Sequence, residues 1–233
     1  MKKGLSIHGR PFSIDGKMKL YYIYDALCGW CYGFSPVMSR FFEEYEDELS
    51  FEVISGGMVT GDRVGPIGEV APYIKEAYRD VEERTGVTFG EDFLKDVLAD
   101  GHTIFDSLPP ALALRAFKFA QPDQVIPFAS RIQKAIYFDG MAPRDEAGYG
   151  RLAEEFGLSA PIFRQQMNDP TTLATVRAEF ELVQNWGING FPTILLEYGK
   201  EEPQLGVLAR GYLPFEQLEA QYLRAKEILP TLP

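Results

Sequence analysis

Cysteine, histidine and tryptophan are scarce in this chain of 233 residues, with two of each. A single pair of cysteines cannot form a disulfide framework, because Cys28 and Cys31 have only each other to bond. Positive charge is also in short supply. Lys and Arg number 23 against 34 acidic residues, a formal charge of −11. A surface this acidic repels phosphate backbones, which excludes nucleic acid as a partner. Long apolar runs are missing, since charge interrupts every apolar window within about a dozen residues, well short of a membrane span. Gly4-Leu5-Ser6-Ile7-His8-Gly9-Arg10 is too short and polar for a signal-peptide core. The compartment expected is therefore the reducing cytosol, where structural disulfides are rare and reactive dithiols are not. Neither internal repeats nor low-complexity linkers are found.

The remainder is the composition of a globular protein, 45% hydrophobic and 24% charged, with enough chain to bury a sizeable core. The acidic cluster from Glu43 to Glu48 interleaves with Tyr45 and fits the solvated face of a helix. Residues 19–24 are aromatic and β-branched and predict a buried strand. From Trp30 to Leu49 the residues Phe34, Val37, Met38, Phe41, Phe42 and Tyr45 recur at helical spacing, with Pro36 expected to kink the helix. A second strand at 51–55 stops at Gly56-Gly57, and the connection before it is long enough for a right-handed parallel crossover.

Helical patterns then follow at about 69–85, 91–99, 107–120, 123–138, 145–156, 159–167 and 172–186, without a convincing strand among them. Strand sequence returns at 193–198 and 207–211, joined by a turn through Gly199-Lys200, and a closing amphipathic helix carries Phe215, Leu218, Tyr222 and Ile228. The expected fold is α/β: β-α-β, then a helical subdomain, then α-β-β-α. Residues 1–17 form an extension, 18–60 and 172–233 the α/β domain, and 61–171 the insert.

The chemistry concentrates in Cys28-Gly29-Trp30-Cys31, placed between a strand end and a helix start. A thiol attacks only as thiolate, and the unpaired N–H groups and positive dipole end of a first helical turn favour that anion. Cys28 at the helix start is expected to be the exposed attacking sulfur. Cys31, one turn further in, is expected to be the buried resolving sulfur. A structural zinc site wants four ligands, and with only His8 and His102 to add, both isolated, no metal is expected. An inert buried pair is the other reading. Asp25 either tunes the thiolate or shuttles a proton, or is simply a helix-capping or loop carboxylate. Trp30 either holds substrate or packs. Pro192, opening a strand after Phe191, sits where a proline cannot donate to the ladder; a cis bond there would leave the Phe191 backbone free to pair with an extended substrate.

Together these residues resemble the thioredoxin superfamily, and within it the DsbA-like branch, in which a helical subdomain interrupts a thioredoxin-like fold. The resemblance covers about residues 19–230. Asp25-Ala26-Leu27-Cys28-Gly29-Trp30-Cys31-Tyr32 is similar to the D-x-x-C-x-W-C-Y signature of FrnE-like oxidoreductases. Pro36, five residues beyond Cys31, is similar to the kinking proline of the active-site helix, and Gly190-Phe191-Pro192-Thr193 to the cis-proline loop facing the cysteines. The resemblance implies a thiol–disulfide oxidoreductase without a cofactor: nucleophile Cys28, resolving thiol Cys31, and substrate contacts from Trp30, Phe191 and Pro192. It implies protein or glutathione-like thiols as partners; the missing apolar span points to no membrane partner, and monomer and homodimer both stay open.

Two departures matter. The dipeptide is Gly-Trp where strongly oxidising periplasmic members carry Pro-His, so a less oxidising couple is expected. Tyr22 stands where thioredoxin-like proteins often keep a buried acid, leaving Asp25 as the nearest candidate. The same branch holds glutathione-dependent kappa-class transferases and hydroxychromene-carboxylate isomerases, which carry serine at the first cysteine. A glutathione-dependent isomerase or transferase is thus the alternative enzyme, and a non-catalytic binding module the third reading.

Overall fold

A computed structural model describes residues 5–6, 17–199 and 204–228. Its centre is a five-stranded sheet in the order β1-β7-β6-β2-β3, built from β1 (Leu5–Ser6), β2 (Met18–Tyr24), β3 (Leu49–Ser55), β6 (Thr193–Tyr198) and β7 (Gln204–Arg210). Strand β2 runs parallel to β3, pairing Tyr22 with Val53, and antiparallel to β6, pairing Tyr22 with Ile194. With neighbours on both sides and helices over both faces, Leu20 through Tyr24 are all buried. This explains why β2 reads as a continuous apolar run rather than an alternation.

The two faces hold separate cores. Leu20, Tyr22 and Tyr24 face the larger one, with Phe34, Met38 and Phe41 from α1 (Gly29–Tyr45) and Leu218 and Tyr222 from α8 (Phe215–Ile228). Tyr21 and Ile23 point the other way, onto Val183 of α7 (Pro170–Asn185) and Trp186. Alternate residues of one strand thus hold a helix layer on each side. Helix α1 continues unbroken through Pro36. Glu43, Glu44, Glu46 and Asp47 lie exposed at its C-terminal end and just beyond, while Glu48 pairs with Lys226.

Between β3 and α7 come α2 (Ala71–Thr85), α3 (Leu108–Ala120), α4 (Val125–Tyr137), α5 (Glu146–Glu155) and α6 (Ala160–Met167). The helix expected at 91–99 is wound more widely, as a π-helical segment at Phe93–Ala99. A small antiparallel pair, β4 (Gly65–Pro66) with β5 (Ile104–Phe105), was not expected, because two-residue strands carry no readable alternation. Within the segment taken as an N-terminal extension, Leu5–Ser6 pairs antiparallel with β7. Of the turn proposed at Gly199-Lys200, Lys200 lies outside the described residues. The free edge of β3 is blocked: Lys118 Nζ donates to the Val53 carbonyl (2.8 Å) and pairs with Glu179 (3.0 Å) and with Glu52. Among the described residues, no helix is long and apolar enough to cross a membrane.

Candidate active site

Strand β2 ends at Tyr24, and the chain turns through Asp25-Ala26-Leu27 to put Cys28 at the N-cap of α1. The Cys28 Sγ accepts from the backbone N–H of Cys31 (3.3 Å), filling one of the donors that a helix start leaves open. The first turn of α1 carries no acidic residue, so nothing there offsets the positive end of the helix. Cys28 was expected to be exposed. It is 6% accessible against 0% for Cys31, so it is the more reachable of the two free thiols while still largely covered. Burial, reinforced by the neighbouring Cys28, pushes the Cys31 thiol well up. That keeps Cys31 protonated until a reaction demands its proton.

Part of the cover is Phe191. The Cys28 thiol donates to the Phe191 carbonyl oxygen at 3.5 Å, across 163 residues of sequence. The Phe191–Pro192 peptide is cis, and Pro192 is buried just before β6. The Phe191 ring lies over Gly56 at the end of β3, where a Cβ would come within 2.2 Å of the ring carbons. Only glycine leaves room for it.

Asp25 is buried and bonded through both oxygens. Oδ1 accepts from Leu27 N–H and from the Ser107 hydroxyl (2.9 Å each), and Oδ2 accepts from Met58 N–H (2.7 Å). Burial raises its pKa, and these hydrogen bonds only partly oppose that. The Asp25 side chain thus bonds the turn that carries Cys28, and its charge adds to the upward push on the Cys31 thiol. Trp30 is half-buried beside the cysteines, with the Arg84 guanidinium 5.2 Å from its ring. Among the described residues, no three metal-ligating side chains come together.

Several neighbours escaped the sequence. Tyr22, on the strand that leads into the cysteine turn, donates to the Cys31 carbonyl (3.4 Å). Gln133 of α4, with its amide turned to satisfy both ends, donates to that same carbonyl (3.2 Å) and accepts from Tyr32 N–H (3.1 Å). Ser107, the first residue of the helical pattern at 107–120, also exchanges two hydrogen bonds with Val59 (2.9 Å each) and so ties α3 to the loop after β3. Phe105 and Tyr137 are buried yet line a cleft at Cys28, Phe117 is core, and Phe119 is 71% exposed. That cleft holds about 460 Å³ and opens beside Cys28 and Trp30.

A thioredoxin family model matches residues 21–220. A candidate protein disulfide isomerase from Nitrosomonas europaea superposes with a TM-score of 0.80 at 28% identity, covering 91% of this chain and 98% of the other. The cytosolic disulfide reductase DsbM of Pseudomonas aeruginosa, solved also with glutathione, superposes at 0.74 and 30% identity, covering 90% and 98%. The ClpXP adapter protein SpxH of Halalkalibacterium halodurans is 18% identical over 205 residues, 85% of this chain and 64% of that relative's length.

Proposed function

The chain belongs to the thioredoxin family, in its DsbA-like branch of thiol–disulfide oxidoreductases, and on that premise we propose that Cys28 and Cys31 exchange electrons with thiol and disulfide substrates. The observation that carries this is the asymmetry of the pair. Cys28 sits at the helix N-cap on the wall of a cleft, and Cys31 lies one turn behind it, fully buried. Thiolate Cys28 attacks a substrate disulfide and forms a mixed disulfide. Cys31 then displaces the substrate sulfur, which leaves with the Cys31 proton. The substrate is reduced by two electrons and the cysteine pair is oxidised by two. An external thiol resets it.

Phe191 contributes its backbone to an extended substrate and Trp30 contributes a ring beside the reacting sulfur. Residues 61–171 act as the insert that roofs Cys28. The direction proposed is reduction, because the Gly29-Trp30 dipeptide offers no imidazolium to hold a thiolate. DsbM, a disulfide reductase described as cytosolic and solved with glutathione, supports a cytosolic setting and a glutathione-class thiol as the partner that resets the pair.

The test is equilibration in glutathione redox buffers, with mass spectrometry of the alkylated protein. The expected result is a two-electron transition in which Cys28 and Cys31 are lost together, at a potential well below the roughly −120 mV of strong periplasmic oxidants. Cysteines that never pair at any poise would contradict the reading.

A further inference from the structure

The cleft at Cys28 has a composition that names its occupant. Its volume of about 460 Å³ lies in the range of small-molecule sites. Its inner wall is apolar and aromatic, with Ile67, Val81, Phe89 and Tyr137 all buried and Met58 and Ile74 half-buried. The charged residues that border it, Asp62, Arg63 and Glu69, are all exposed. The rim adds apolar surface, with Val70 49% and Tyr73 70% accessible. Glutathione carries two carboxylates and an ammonium, and burying those groups against such a wall would leave them unpaired. An uncharged hydrocarbon group would be stabilised there.

We propose that this cleft binds the apolar half of a low-molecular-weight disulfide, an aromatic or branched-aliphatic thiol joined to a polar thiol, and presents its sulfur to Cys28. This deepens the thiol–disulfide reading and rests on it. The Cys28 thiolate attacks the sulfur that bears the apolar group. The Cys28–sulfur bond forms, the substrate disulfide breaks, and the polar half leaves as a thiolate that takes a proton from water. Cys31 then attacks the Cys28 sulfur, and the apolar thiol departs with the Cys31 proton. The cysteine pair is left as a disulfide, two electrons having passed to the substrate. A low-molecular-weight thiol in excess restores the dithiol.

The experiment mixes the reduced protein with two glutathione mixed disulfides, one of benzyl mercaptan and one of 2-mercaptoethanol, and measures the rate of Cys28–Cys31 oxidation by acid quench and mass spectrometry. The benzyl compound is expected to react at least about tenfold faster, after correction for each compound's rate with free dithiothreitol. Ile74→Gln, on the partly open side of the cleft, is expected to shrink that ratio several-fold. Equal rates, or a faster hydroxyethyl compound, would overturn the cleft proposal and leave the exchange reaction standing. Failure of both compounds to oxidise the pair would remove the exchange reaction and the cleft proposal together. The wild-type comparison stands even if the variant does not fold.

Discussion

The Phe191 carbonyl oxygen lies 3.5 Å from the Cys28 sulfur, so two segments 163 residues apart meet at the one reachable thiol of the chain. A substrate arriving at Cys28 must displace or share that contact. The position of Phe191 therefore governs access to the sulfur, and Gly56 leaves the room in which the Phe191 ring lies.

Gly56→Ala tests that dependence. A methyl at 2.2 Å from the Phe191 ring forces that ring to move, and the ring belongs to the residue whose carbonyl meets Cys28. Overpacking of this kind costs about 1–3 kcal/mol in stability. Because small displacements at a reacting centre are costly, the rate of substrate-disulfide reduction is expected to fall by at least about tenfold. Urea unfolding and insulin-reduction rates measure the two effects separately.

Asp25→Ala removes the acceptor for Leu27 N–H, Met58 N–H and the Ser107 hydroxyl at once. Stranding these donors is expected to destabilise the fold by about 3 kcal/mol, read as a lower urea midpoint.

The pH dependence of stability should carry the signature of Asp25. Its folded pKa is raised above the reference value of 3.8, so the protonated form is the one the fold favours. The stability this supplies is fully present below that reference value and is lost as pH rises through the folded value. Asp25→Asn, which does not titrate, should lack this fall, so its unfolding free energy relative to the parent protein should increase as pH rises above about 4. Urea midpoints collected from pH 4 to 8 check the sign.

Lys118 is buried between Glu52 and Glu179 and caps the edge of β3. Burial works against its charge, and the two carboxylates more than offset that, so its pKa is raised. Lys118→Met leaves two carboxylates facing each other with a cation removed, and about 3–5 kcal/mol of stability is expected to be lost. The Cys28–Cys31 potential, measured on the fraction that remains folded, should not move.

The sequence carried the cysteine pair, Pro36, the Phe191-Pro192 step and most helices, because each leaves a local mark: a spacing, a proline, a 3.6-residue period. Ends of elements were set within a few residues, as at 107–120 against Leu108–Ala120. What stayed hidden depends on distant residues meeting. Ser107 bonds Asp25 across 82 positions, and Gln133 reaches Cys31 from another helix. No periodicity encodes either contact. The same holds for the cover over Cys28: its N-cap position was legible locally and the resemblance placed the Phe191-Pro192 loop opposite the cysteines, but the 3.5 Å contact of the Phe191 carbonyl with the sulfur was not legible. The wide winding at Phe93–Ala99 was likewise invisible, since a π-helical segment and an α-helix show similar apolar spacing over so few residues.

The central claim is that Cys28 attacks and Cys31 resolves, and Cys31→Ser tests it most directly. Incubated with a glutathione mixed disulfide, digested and analysed by mass spectrometry, the variant is expected to hold a stable mixed disulfide on Cys28, and to have lost insulin reduction. An absence of any adduct at Cys28, or continued glutathione-dependent turnover at the parent rate without Cys31, would contradict it.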